Sequence, residues 1–196
     1  VADFVPLRIV VSHSYTLIAR KDLAQSTLKD VFAFARANPG KLTIGSSGPG
    51  SGQYILAMFV RGLGNVDILM VPYKGAQAVI ADLLGGQVQL TFGGGATVAS
   101  HIKTGKLRGI AVTSAQPSPL YPDLPTVAAT GVPGYESSGW YAMLATAGTP
   151  KAVLDKLHRE TIAILKSAAL KEQFAVQGLE PVPTTPDAFA KTLRAE

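Results

Sequence analysis

The stretch KLTIGSSGPGSGQ, residues 41–53, decides the fold class of this chain. Leu42–Gly45 is a short apolar run typical of a strand, and it leads into Ser46–Gly52, which contains only serine, glycine and proline. A helical pattern follows, because apolar residues recur at helical spacing. Its apolar positions are Ile55, Met58, Phe59 and Leu63, and Gly64 ends it. A strand, a glycine-rich turn and a helix in this order form one βα unit.

The same order recurs on both sides of this unit. Strand-like runs stand at Val10–Ala19, Asp67–Val71, Val88–Phe92 and Leu107–Thr113, and helical patterns lie between them. Strands that alternate with helices predict parallel βαβ units in an α/β fold. The run DILMV at 67–71 has no polar alternation, as in strands that are covered on both faces.

The organisation changes after a proline-rich stretch, Ser114–Ser137. Beyond it the pattern indicates one strand, Ser138–Ala145, and three helices, which is too little sheet for a domain. We therefore expect this part to pack on the first part or on material absent from the chain. Side chains that cap helix N-termini are expected at Ser26 and Ser167, and at Thr149 and Thr185, each of which precedes a proline.

Composition excludes several classes of protein. Eighteen basic and 13 acidic residues give a net charge of +5, and 47% of the residues are hydrophobic, which argues against disorder. With no cysteine, the chain has no disulfide and no thiolate site. The densest basic cluster, Lys103, Lys106 and Arg108, has no interleaved aromatic residue, so nucleic-acid binding is not expected. Residues 1–11 lack a signal-peptide pattern, and no apolar run is long enough for a membrane span.

The glycine- and serine-rich turn is the best candidate for a binding site. Backbone N–H groups at a helix N-terminus favour an anion, glycines allow close approach, and Ser46, Ser47 and Ser51 add hydroxyl donors. Tyr73-Lys74 and Gly93 follow the next two strands and open toward the same sheet edge, where ligands bind in open parallel sheets. Three alternatives stay open: the turn is only a connection, Lys74 is only a solvated surface lysine, and the glycines at 93–95 only relieve a steric clash at a tight turn.

The sequence does not match known enzymatic motifs when it is compared with them residue by residue. The Rossmann pattern needs glycine where Gln53 stands, and the hydrolase pattern G-x-S-x-G needs glycine where Pro49 stands. The three histidines, His13, His101 and His158, do not have metal-ligand spacing. No acidic residue flanks the glycine-rich turn as a general base. We expect no catalytic residue, no metal and no cofactor.

Several motifs in consistent order resemble one family, the Bug/TctC extracytoplasmic solute-binding proteins of tripartite tricarboxylate transporters. They are KLTIGSSGPGSGQ, VPYKG, DLLGGQV, HIKTGKLRGIAVTS, LPTVAATGVPGYE, SGWYAMLATAGTP and LEPVPTTPDAFA. The resemblance implies a type II periplasmic-binding-protein (flytrap) fold of two α/β lobes. Residues 10–135 would form lobe 2. Residues 138–196 would belong to an incomplete lobe 1, which lacks its N-terminal part and the extreme C-terminus.

The resemblance also implies a function, a site and a location. The ligand would be a small carboxylate: a di- or tricarboxylate or an aromatic carboxylate. A glycine at 93, where many members have aspartate, disfavours an amino acid. Membrane transporter subunits would be partners, and the location would be the periplasm. The implied ligand-binding residues are Ser46, Ser47, Gly48, Gly50, Ser51, Gln53, Tyr73, Lys74 and Gly93.

Two other functions remain as alternatives. One is an enzyme that uses the glycine- and serine-rich turn to hold an anionic substrate, which requires an acid or base close to Ser47. The other is a truncated chain that does not bind ligand and is stabilised by self-association.

Overall fold

Strands and helices alternate along the chain, and the predicted α/β class is confirmed. The computed structural model describes residues 3–195, apart from the side chain of residue 96. The strands are β1 (Phe4–Arg20), β2 (Thr43–Ser46), β3 (Leu69–Pro72), β4 (Leu90–Gly94), β5 (Leu107–Val112), β6 (Ser138–Thr146) and β7 (Glu180–Pro181). The helices are α1 (Leu28–Ala37), α2 (Gly52–Gly64), α3 (Ala76–Leu84), α4 (Gly95–Lys103), α5 (Lys151–Lys166), α6 (Ala168–Val176) and α7 (Pro186–Ala195).

The chain divides into two units. The first, here called the sheet unit, is Ser14–Ser138. The second, here called the split unit, combines Val1–His13 with Gly139–Glu196. The chain passes between the units twice: once within β1, between His13 and Ser14, and once at the start of β6, between Ser138 and Gly139. The lobe boundaries 10–135 and 138–196 stay a prediction.

In the sheet unit the strand order is β3-β2-β4-β1-β5. Strand β2 runs parallel to β3 and β4, as the βα pattern predicts. The prediction of parallel strands is wrong for β1, which pairs antiparallel with both β4 and β5. Helix α1 connects β1 to β2, but these two strands are not neighbours in the sheet, so α1 does not join a pair of adjacent parallel strands.

Helix α2 buries a different face from the predicted one. Its predicted stripe is exposed, with Ile55, Met58, Phe59 and Leu63 between 44% and 60% accessible. The buried face contains Leu56, Ala57 and Val60, and it ends at Gly64. A Cβ at Gly64 would lie 2.7 Å from Phe32 of α1, so the missing side chain lets α2 approach α1 along this face. Because α2 is apolar on both faces, its periodicity did not distinguish them.

Three further local predictions are wrong. Strand β3 lies at the sheet edge with Leu69 55% exposed, so it is not covered on both faces. Helix α1 is capped by Thr27 rather than Ser26, in a reciprocal pair with Asp30 that lowers the pKa of that carboxyl. Pro150 is the N-cap of α5, while the Thr149 hydroxyl donates to the carbonyl of Thr146.

In the split unit, β6 and β7 both pair with β1. Trp140 of β6 packs edge-to-face on Phe189 of α7, with ring centroids 5.5 Å apart. On α5, Leu165 is buried, whereas the apolar residues Val153, Leu157 and Ile164 are 37–58% exposed. Within residues 3–195, no helix has both the length and the apolar content that a membrane crossing requires.

Candidate functional site

The candidate site lies at one edge of the sheet unit, where the carboxyl ends of β2, β3 and β4 meet. Helices α2, α3 and α4 all begin at this edge, directly after those strands. Each helix therefore directs the N–H groups of its first turn, and the positive end of its dipole, toward the same edge. Gly75 and Gly94, the N-cap residues of α3 and α4, supply no side-chain acceptor for those N–H groups.

The loop between β2 and α2 has a backbone conformation that requires glycine at two positions. Gly48 has φ = 96° and Gly50 has φ = 81°, both in the left-handed region that side-chain-bearing residues rarely adopt. The hydroxyl of Ser51 donates to the carbonyl of Gly48 over 2.7 Å and accepts the N–H of Tyr54 over 3.2 Å. Ser51 is thus the N-cap of α2, and its hydroxyl is used within the loop.

Gln53 connects the loop to the neighbouring strand. Its side-chain oxygen accepts the N–H of Ser47 over 3.1 Å and also the hydroxyl of Ser47. Its side-chain nitrogen donates to the carbonyl of Phe92 in β4. The side chain is only 6% exposed. Gln53 therefore positions the loop, and both donors of Ser47 are directed to it rather than outward.

Ser46 is the loop residue whose hydroxyl has no partner. The residue is fully buried, and its Oγ makes no hydrogen bond with any described residue. Its carbonyl accepts the N–H of Tyr73 over 2.8 Å, which joins the loop to the turn after β3. A buried hydroxyl without a partner costs free energy, and an anionic acceptor at the loop would relieve that cost.

The structure places the other predicted residues in different environments. Tyr73 donates its hydroxyl to Asp82 of α3 over 2.8 Å, and burial together with this carboxylate raises the pKa of the phenol. Its ring therefore packs within the unit, while its carbonyl lies along the loop beside Gly48. Lys74 is exposed at the edge. Gly93 is buried, and a Cβ there would lie 2.3 Å from Val98 Cγ1, which explains the glycine by steric relief.

Sequence reasoning missed Tyr15. A Cβ at Gly52 would lie 2.8 Å from the Tyr15 hydroxyl, so the phenol reaches the first turn of α2. Tyr15 pairs in register with Gly94 at the start of α4, and its backbone forms hydrogen bonds with Thr113 in both directions. Only the register of β1 brings Tyr15 to this edge, and a strand-like run carries no local signal for it.

The groups at this edge can be compared with what an anion or a catalytic step requires. The hydroxyl of Ser47 donates to the side-chain amide oxygen of Gln53, which is neither an acid nor a base. Among the described residues, no group of three or more histidine, aspartate or glutamate side chains could hold a metal ion. Helix N-termini, a buried hydroxyl and an exposed lysine together favour a negatively charged ligand.

A family model described as "Tripartite tricarboxylate transporter family receptor", TctC, matches residues 1–195. The chain belongs to this family. Protein BugT of Bordetella pertussis is 34% identical over 185 residues, which are 94% of this chain and 57% of BugT. The resemblance to the Bug/TctC family is therefore confirmed.

Solved structures agree with the family assignment. The structure of R. palustris Rpa4515 with adipate matches with a TM-score of 0.93 and 30% identity, covering 99% of this chain and 65% of that one. The periplasmic binding protein BugD matches with a TM-score of 0.90 and 31% identity, covering 98% and 65%. The predicted periplasmic-binding-protein fold is confirmed, and the TctC chain described here spans about 57–65% of these relatives.

Proposed function

We propose that this TctC-family chain acts as a solute-binding protein, and that the loop Ser46–Ser51 of its sheet unit binds a small carboxylate. The observation that carries the proposal is the meeting of three helix N-termini at one sheet edge beside the fully buried, unpartnered hydroxyl of Ser46. The relative Rpa4515, whose structure contains adipate, supports a carboxylate ligand. Di- or tricarboxylates and aromatic carboxylates remain the ligand class, and no catalytic step is assigned.

The partners and location follow from the family. A receptor of a tripartite tricarboxylate transporter delivers its solute to membrane subunits, so we expect such subunits as partners. BugD is named as a periplasmic binding protein, which supports a periplasmic location for this chain.

A matched pair of variants at Gly50 tests the carboxylate site. Its φ of 81° is one that asparagine and aspartate tolerate, and a Cβ there meets no atom within 4 Å. Gly50→Asp and Gly50→Asn share any backbone strain and differ by one negative charge at the loop. We expect the asparagine variant to bind like the natural chain and the aspartate variant to bind at least about tenfold more weakly.

The measurement is a thermal shift with adipate, citrate and benzoate as probes, with glutamate for comparison. A ligand present at about 100 times its Kd stabilises the folded chain by about 2.7 kcal/mol. Mass spectrometry of the recovered probe checks that it is chemically unchanged. The proposal fails if none of the carboxylates raises the melting temperature at any soluble concentration, or if the two Gly50 variants respond equally.

A further inference from the structure

The split unit contains a buried cation whose hydrogen-bonding groups are mostly unused. Arg8 lies on β1, is 1% exposed, and is the largest fully buried side chain among the described residues. Its Nη2 donates to the carbonyl of Thr184 over 2.7 Å. Its Nε and Nη1 have no acceptor among residues 3–195. Most of the guanidinium is therefore out of contact with water and without a protein partner.

No carboxylate in the described part of the chain neutralises this charge. The ion pairs formed there involve Arg20, Arg61, Lys151 and Arg159, and Arg8 forms none. The nearest acidic residues along the chain to Thr184, Glu180 and Asp187, are exposed. Burial lowers the pKa of the Arg8 guanidinium. A buried charge without a counter-charge is strongly unfavourable, so this position calls for an acceptor.

The local fold does not depend on the guanidinium. The N–H of Ile9 donates to the Thr184 hydroxyl over 2.8 Å, and the N–H of Val182 donates to the carbonyl of Val10 over 3.1 Å, so backbone contacts already hold β1 against residues 182–184. Pro6 and Val10, which lie two residues from Arg8 on the same face of β1, are apolar and partly buried. An apolar residue at position 8 would suit the same surroundings without a charge.

We propose that Arg8 binds a carboxylate group that the described residues do not supply. The planar guanidinium presents N–H donors in a fork that matches the two oxygens of a carboxylate. The carboxylate has two possible sources: an acidic side chain from polypeptide outside residues 3–195, since relatives are longer, or a small carboxylate solute. The site lies in the split unit and does not rest on the function proposed for the loop Ser46–Ser51.

The test uses the chain's single tryptophan as a local reporter. Trp140 packs on Phe189 in the split unit, so its fluorescence follows the unfolding of this unit. In buffer with chloride as the only anion, we expect Arg8→Met to raise the melting temperature by about 3–6 °C, because it removes an uncompensated buried charge. The matched control Arg194→Met, at an exposed arginine of α7, should shift it by less than about 1 °C.

Formate and acetate then probe the site. Both should raise the melting temperature of the natural chain and of Arg194→Met by clearly more than that of Arg8→Met, in which any response beyond the effect of sodium chloride at equal ionic strength comes from the loop Ser46–Ser51. Half-saturation below about 1 mM with a preference between carboxylates indicates a solute as the natural occupant. An equal response to formate and acetate at tens of millimolar, a weak-binding range, indicates a protein side chain.

Two results would overturn the proposal: Arg8→Met melting below the natural chain in chloride, or an equal formate response in Arg8→Met and the natural chain. The Gly50→Asp variant separates this site from the loop. It should keep the formate response, even if adipate, citrate and benzoate turn out not to bind the loop.

Discussion

The role of Gln53 as the connection between the loop and β4 can be tested by removing its hydrogen bonds in stages. Gln53→Met keeps a similar volume but leaves the Ser47 N–H and the Ser47 hydroxyl without their partner, and it leaves the Phe92 carbonyl with only the longer bond from the Thr91 hydroxyl at 3.3 Å. Each buried polar group left unpaired costs about 1–3 kcal/mol. Ser47 is partly exposed and water can replace its partner, while the Phe92 carbonyl keeps a weaker donor, so we expect a total loss of about 1–3 kcal/mol in the free energy of unfolding.

The variant Gln53→Glu tests the same connection through the pH dependence of the free energy of unfolding. A neutral glutamic acid can still donate to the Phe92 carbonyl, whereas the charged form cannot and is buried. Burial raises the pKa of such a carboxyl in the folded chain above its unfolded value of about 4.3. The stability it confers is therefore fully present below about pH 4.3 and is lost as pH rises through the folded pKa. The deficit relative to the natural chain should widen from pH 5 to pH 8.

Two measurements check the Gln53 variants. Urea denaturation followed by circular dichroism gives the free energy of unfolding. Hydrogen exchange of a peptide covering residues 46–54 reports whether the loop itself opens. The assignment of Gln53 as the connecting residue would be refuted if Gln53→Met were as stable as the natural chain. It would also be refuted if the difference in unfolding free energy between Gln53→Glu and the natural chain did not change with pH.

Three further predictions follow from other contacts. Gly93→Ala places a Cβ against Val98 and should lower the free energy of unfolding, measured by urea denaturation, by about 1–3 kcal/mol. The double variant Gly93→Ala with Val98→Ala should be no less stable than Val98→Ala alone. A Gly93→Ala variant as stable as the natural chain would contradict the steric explanation. Ser51→Ala removes the cap of α2 and should lower the melting temperature by about 2–4 °C, and no change would mean that the cap is not needed. Burial raises the pKa of Tyr121 to about 12, so the stability from its neutral phenol is present below about pH 10 and is lost as pH rises toward 12. Ultraviolet absorbance titrations of the natural chain and of Tyr121→Phe check this, because their difference gives the ionisation of Tyr121.

The sequence predicted the order of elements well because local signals encode it. Glycine and proline punctuation and capping residues such as Ser167 and Thr185 act over a few residues, and the structure places both as caps. The direction of β1 and the buried face of α2 depend on partners distant in sequence. Strand β1 pairs with β4 and β5 rather than with β2, the next strand along the chain, and helix α2 is apolar on both faces, so neither element carries that information locally.

The candidate site likewise has features that local sequence signals predict and features that depend on contacts distant in sequence. Residue types alone identified the glycine- and serine-rich turn, but they did not show which hydroxyls point inward. Ser47 and Ser51 donate within the loop, while Ser46 keeps a buried hydroxyl without a partner. Tyr15 reaches the loop only through strand register, and Arg8 is notable only because its burial and missing partners are known.

The loop donors differ in whether they bond within the loop or are left for a ligand, and this affects which carboxylates the loop can distinguish. If the ligand is met mainly by helix N-termini, backbone N–H groups and the Ser46 hydroxyl, these groups recognise a carboxylate by its charge and size rather than by the rest of the molecule. Loop binding alone should therefore discriminate poorly between adipate and benzoate. Selectivity among carboxylates then requires contacts beyond this loop, and Tyr15, whose hydroxyl lies at the first turn of α2, is one side chain placed to contribute them.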